Sequence, residues 1–161
     1  MTTDIRQVCI SDLDRCFEIE SASYGAEGAS KNSIETRIKK YPEGFLVLTV
    51  DAQVIGFINS GCSNSDELSS EEIKSLIGHE PNGKNLIVFS LVVDGPFRQK
   101  GYAKKLMERF VQLADSQNKQ ILLMCRKEHI GMYQQFGFVE QGLSNSTHGG
   151  VTWYEMSRTN T

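Results

Sequence analysis

No apolar run in this chain approaches the length of a bilayer span, and Met1–Ile10 holds no signal-peptide apolar core. A membrane segment is therefore not expected. Basic excess is missing as well: the formal net charge is −3, which argues against a nucleic-acid partner whose phosphates demand a basic face. Cysteine is present but unpatterned. Cys9, Cys16, Cys62 and Cys125 are scattered without CxxC spacing, so they read as free thiols in a reducing cytoplasm, with no metal site. Neither GxxxxGK[ST] nor GxGxxG occurs, which excludes a P-loop and a dinucleotide fingerprint. Repeats, low-complexity tracts and linkers are lacking too. Residues 1–161 thus read as one domain, long enough to bury roughly 70% of its unfolded surface.

The most informative stretch is Leu86–Ala103, LIVFSLVVDGPFRQKGYA. Its first eight residues are apolar except Ser90 and rich in β-branched and aromatic types, as a strand buried on both faces requires. Asp94-Gly95-Pro96 breaks the run, and Arg98-Gln99-Lys100-Gly101-Tyr102-Ala103 leads into a helical pattern. Strand, glycine-containing basic turn and helix N-terminus in succession make an anion site. Free N–H groups and the positive end of the helix dipole converge there.

Around this centre the chain reads as β α α β β (α) β α β α β β, a mixed α/β arrangement. Ile5, Val8 and Ile10 suggest a first strand, and Ser11-Asp12 offers a cap for a helix running to about Ser23. Ser30 or Asn32 caps a second helix, with Ile34 and Ile38 inward and Arg37, Lys39 and Lys40 outward. Phe45–Val50 and Val54–Asn59 form a hairpin around Asp51-Ala52-Gln53. Residues 62–84 interrupt the pattern; Ser69 followed by Glu72 is a capping-box signature for a short helix from Ser70 to Ile77. Then come a helix over Lys104–Gln117, a buried strand Gln120–Cys125, and a short helix through Tyr133 stopped by Gly137. A strand from Phe138, a polar loop Ser144–Gly150 and a last strand Val151–Met156 close the chain.

The element order, Arg98-x-x-Gly101-x-Ala103 after the central strand, and Tyr133-Gln134-Gln135-Phe136-Gly137-Phe138 some thirty residues on resemble the GNAT superfamily of acetyl-CoA-dependent N-acetyltransferases. Within it, Phe17-Glu18-Ile19-Glu20, Phe97-Arg98-Gln99, Leu123-Met124-Cys125 and Tyr133–Phe138 are similar to the arylalkylamine (serotonin) N-acetyltransferases. The resemblance implies an α/β (α+β) fold: a mixed, mostly antiparallel sheet of about seven strands flanked by helices and splayed at the fourth and fifth. It also implies acetyl-CoA as co-substrate and direct attack by a primary amine in a ternary complex.

Carried onto this chain, the resemblance assigns the pantetheine arm to the backbone of Leu91, Val92 and Val93. It assigns the pyrophosphate to Arg98, Gln99, Lys100, Gly101, Tyr102, Ala103 and Lys104. Backbone N–H groups would cradle it, Gly101 would allow close approach, and Lys100 or Lys104 would add charge. Tyr133 matches the tyrosine that protonates the departing thiolate, a role open to a phenol that stays protonated at neutral pH. The resembling enzymes also carry two strand histidines, where this chain has Ile87 and Phe89. Glu18 and Glu20 match an acidic stretch near their acceptor site. Ser90, His129, His148 and a water chain are further routes for the amine's proton.

The expected acceptor is a small arylalkylamine or polyamine-like amine. Acidic Asp66, Glu67, Glu71 and Glu72 would favour a cation, and Tyr24 and Phe89 would accept an aromatic ring. A protein or peptide amine is the alternative acceptor, and a non-catalytic acyl-CoA sensor the alternative function. A homodimer is one open oligomeric state.

Overall fold

Thr3–Gln7 forms β1, and its partner is Phe45–Val50 (β2), which is buried at every position. The computed structural model describes residues 1–65, 71–145 and 150–160. Ser69, Asp66, Glu67 and His148 lie outside those residues, as do the side chains of Glu71 and Glu72. The remaining strands are Gln53–Ser63 (β3), Asn85–Val93 (β4), Gln120–Cys125 (β5), Val139–Leu143 (β6) and Tyr154–Arg158 (β7). They make one seven-stranded sheet in the order β1-β2-β3-β4-β5-β7-β6. Every pair is antiparallel except β4–β5, so the sheet is mixed and mostly antiparallel, as expected.

Helices cover both faces. Leu13–Tyr24 (α1) and Lys31–Lys40 (α2) lie on one, where Ile19, Ile34 and Ile38 pack with Phe45, Phe57 and Val92. Tyr102–Ser116 (α4) lies on the other, burying Leu106, Met107 and Phe110 with Leu48, Ile58 and Ile121. Two short helices, Glu71–Lys74 (α3) and Ile130–Gln134 (α5), precede β4 and β6. All four thiols are unbridged; Cys9 is exposed and the others are buried. Among the described residues no helix is long and apolar enough to cross a membrane.

Several local expectations are corrected. Ile10 belongs to a short 3-10 turn and is exposed, so the first strand stops at Gln7. Asp12 does not cap α1 with its side chain. Its carboxylate instead accepts two hydrogen bonds from Arg6 (2.8 and 3.0 Å) and one from the Cys9 N–H. Ser30 does cap α2, accepting from the Ser33 N–H. Arg37 is buried rather than outward, because its Nε donates to the Lys74 carbonyl, a long-range partner that helical spacing does not reveal. β3 runs on through Ser63, because β4 pairs with Ser60–Ser63 residue by residue. β7 starts at Tyr154, three residues later than expected, and reaches Arg158.

Lys119 is buried between the insertion and β5. Its ammonium meets the carbonyls of Pro81 and Gly83 and the Cys62 sulfur at 3.3 Å, pinning residues 81–83 against the sheet.

Candidate active site

β4 and β5 are joined by three residue pairs only: Asn85–Gln120, Leu86–Ile121 and Ile87–Leu122. Beyond Ile87 the strands part, leaving the backbone groups of residues 88–93 that point toward β5 without strand partners. The cause lies on the other side of β4. Asn59 pairs with Ser90 and Ser60 with Val88, so Phe89 is an extra residue against β3. Such a bulge bends and twists its strand. The parting begins within two residues of it.

A cavity of about 300 Å³ opens there, walled by Val88, Phe89 and Ser90 of β4, Met124 of β5, Glu20 of α1, Arg37 of α2 and Trp153. Glu20 is 3% exposed. Its Oε2 accepts from the Ala29 N–H at 2.9 Å and from the Ser90 hydroxyl at 3.3 Å, while Oε1 has no partner among the described residues. Gly28 permits this enclosure; a Cβ there would stand 3.1 Å from the Glu20 Cγ. The Arg37 guanidinium lies 4.6 Å from the centre of the Phe89 ring. Ile87 packs into a small apolar cluster with Ile73 and Leu122. The cavity therefore offers a buried carboxylate and a hydroxyl beside apolar and aromatic surface, with Arg37 and Lys74 on the same wall.

The structure does not bring the other expected groups to this wall. Glu18 is two residues from Glu20 and so points to another side of α1; its carboxylate is 70% exposed and pairs with Arg15 at 2.5 Å. Tyr24 is half exposed at the end of α1 and is not part of the cavity wall, whereas Phe89 is. His129 is exposed just before α5. Tyr133 is buried on α5, edge-on to Phe138 with ring centres 5.6 Å apart. It shares a core cluster with Cys125, at the end of β5 that has parted from β4. Burial, then Cys125 and Tyr24, push its hydroxyl pKa well above the usual range, so it holds its proton throughout the neutral range.

The parted end of β4 feeds directly into the basic turn. Gln99 and Gly101 both have positive φ, +62° and +83°, so Lys100 stands between two left-handed residues. Alternating backbone of this kind turns successive N–H groups toward one side. The first helical N–H paired within the chain is that of Lys105, to the Gly101 carbonyl. The N–H groups of Tyr102, Ala103 and Lys104 are thus those of an open first turn. Lys100 and Lys104 are exposed. The Tyr102 ring, by contrast, is buried against Phe97. The Arg98 side chain is committed inward: Nε donates to the Val93 carbonyl at 2.9 Å and Nη2 to the Ser23 hydroxyl at 2.6 Å. It fastens the turn to the end of β4 and to α1.

Sequence reasoning missed Arg37, Met124 and Trp153 as wall residues. Only the position of Met124 on a strand beside the central one hinted at it.

A family model described as the acetyltransferase (GNAT) family matches residues 12–138. The serotonin N-acetyltransferase of Mesocricetus auratus is 26% identical over 160 residues, 96% of this chain and 76% of that protein. Among solved structures, the loading GNATL domain of CurA from Lyngbya majuscula superposes with a TM-score of 0.86 at 14% identity, covering 99% of this chain and 98% of that one. A GNAT superfamily phosphinothricin acetyltransferase from Sinorhizobium meliloti, in complex with AcCoA, gives 0.72 at 18% identity, covering 99% and 89%. The structural likenesses establish the fold, and the family match covers the parted strands, the basic turn and Tyr133. This chain belongs to the acetyltransferase (GNAT) family.

Proposed function

We propose that the protein transfers an acetyl group from acetyl-CoA to a small primary amine, an arylalkylamine by preference. The observation that carries this reading is the parted β4–β5 seam, which joins a turn of open N–H groups at one end to a cavity holding a buried carboxylate. Acetyl-CoA supplies an activated acetyl thioester when bound. The residues present fit it: the Leu91–Val93 edge of β4 that has no partner on β5, the Val93 carbonyl held by Arg98 excepted, offers amide partners to an extended arm, and the N–H groups of Gln99–Ala103 offer a pyrophosphate cradle. Lys100 and Lys104 add positive charge beside that cradle. A backbone N–H of β4 aimed at the thioester oxygen would stabilise the negative charge that develops there.

On the acceptor side, Glu20 and Ser90 hold the amine's charged end, and Phe89, Met124 and Trp153 give its ring an apolar wall. The serotonin N-acetyltransferase likeness supports the same acceptor class. Tyr133 keeps its proton until the sulfur needs it, then donates it to the leaving thiolate. Positioning both reactants in the seam accounts for much of the rate.

The test is thiol release from acetyl-CoA with a panel of amines, wild type against Tyr133→Phe. Arylalkylamines should be turned over best, and the variant should lose about a hundredfold in kcat while keeping its acetyl-CoA affinity. Tight acetyl-CoA binding without turnover of any amine would overturn the enzyme reading. Turnover confined to peptide amines would overturn the acceptor.

A further inference from the structure

Asn59 lies in the middle of β3, fully buried, and neither polar atom of its amide has a partner among the described residues. Buried polar groups in folded proteins nearly always bond to protein, ligand or ordered water. The strand register sets Asn59 opposite Ser90. Directly opposed residues leave the same face of a sheet with their Cβ atoms about 5 Å apart. That face is the one beneath α1, where the Ser90 hydroxyl reaches Glu20 Oε2 and where Glu20 Oε1 is also buried and unpartnered. The register break that parts β4 from β5 falls at this same pair of positions. Two acceptors (Glu20 Oε1 and Asn59 Oδ1) and one donor (Asn59 Nδ2) thus gather on one face, next to a hydroxyl that lines the cavity.

We propose that Asn59 is a positioning residue for acetyl transfer: with Glu20 and Ser90 it holds one internal water, through which the acceptor's ammonium passes its proton to Glu20. The proposal rests on the amine-acetylation reading above. Its chemistry follows from the groups present. A water held there donates its two protons to Glu20 Oε1 and Asn59 Oδ1 and accepts from Asn59 Nδ2, three bonds being typical of an internal water. As the ammonium N–H bond breaks, that proton joins the water oxygen and one of the water's own protons moves to Glu20. The carboxylate becomes a carboxylic acid, and the freed lone pair makes the nitrogen a nucleophile. Tyr133 gives its proton to the leaving thiolate, and the nitrogen's second proton restores the Tyr133 phenol. Asn59 does not titrate, so it orients the water without competing for the proton. Other charged or titratable groups facing Glu20 are Arg37, Lys74 and Glu27 on the cavity wall, and Cys16 and Tyr24 on α1.

The decisive variant is Asn59→Leu, close in volume but unable to bond the water. Amine kcat/KM should fall about tenfold or more near neutral pH and recover toward the amine's own pKa near 10, where the amine arrives already neutral. Acetyl-CoA affinity should not change. A merely structural Asn59 would leave the pH profile in place, and that outcome, or a loss equal at every pH, overturns the proposal. Should Asn59→Leu fail to fold, a high-resolution crystal structure of the wild type decides. A water bonded to both Asn59 and Glu20 supports the proposal; its absence overturns it. Wild-type protein that acetylates no amine would instead overturn the underlying reading, whatever that crystal shows.

Discussion

Replacing Gly101 separates what the basic turn does for the fold from what it does for the ligand. Its φ of +83° and ψ of 10° lie in the left-handed region, and a Cβ built there meets no atom within 4 Å. Alanine therefore brings no clash, only the conformational penalty, about 1–2 kcal/mol. In a chain of this size each kcal/mol lowers Tm by about 2–4 °C, so a modest drop is expected. Binding should suffer on different grounds. In the proposed cradle the pyrophosphate approaches bare backbone, and an added methyl group holds it off. At least a tenfold rise in the acetyl-CoA Kd is expected, about 1.4 kcal/mol. Gly101→Asn is the companion, because asparagine tolerates the left-handed region and spares the fold while still adding a side chain. Calorimetric titration with acetyl-CoA, run beside thermal melts of all three proteins, reads both quantities. If both variants bind within twofold of wild type while alanine lowers Tm as expected, Gly101 is only a helix cap and the cradle reasoning is refuted.

Two further predictions concern stability. The β2–β3 turn places Asp51 and Ala52 at φ +50° and +69°, a geometry that favours glycine in the second position. Ala52→Gly should stabilise the protein by about 1 kcal/mol, read as a higher urea midpoint; an unchanged or lower midpoint counts against the strain. Asp12→Asn should cost about 1–3 kcal/mol, since Arg6 and the Cys9 N–H both bond this carboxylate. The Arg6 hydrogen bonds hold the Asp12 carboxyl below the usual range, so its contribution is full above the unfolded value near 3.9 and fades as pH falls through the lower native one. Urea titrations from pH 7 to 3 should show the gap between wild type and variant closing below about pH 4; a constant gap would contradict this.

Sequence pattern located elements well where one apolar run coincides with one strand. β2 and β5 have the expected boundaries, and β4 begins one residue early. It failed where neighbours decide burial: Ser60-Gly61-Cys62-Ser63 looks like loop but is strand, because β4 pairs with it residue by residue. In the site, Glu18 and Glu20 were equal candidates by residue type. Helical phase separates them, since residues two apart do not face the same way, and Glu20 alone turns under the sheet. Asn59 gave no local signal. A single polar residue where an apolar run ends looks like the approach to a loop, and its position matters only through a partner thirty-one residues away.

The sheet is held across its middle by three residue pairs, and that has a consequence for how the molecule breathes. β1–β4 form one leaf and β5, β7 and β6 another, each bonded more extensively within itself than across the seam. Opening along this line disrupts little, so the two leaves can behave as separate cooperative units in hydrogen exchange. Lys119 closes only the end beside residues 81–83. A ligand lying in the open end would act as a missing strand, and its binding energy would appear as shared protection of both leaves. On this view substrate binding also joins two half-sheets into one.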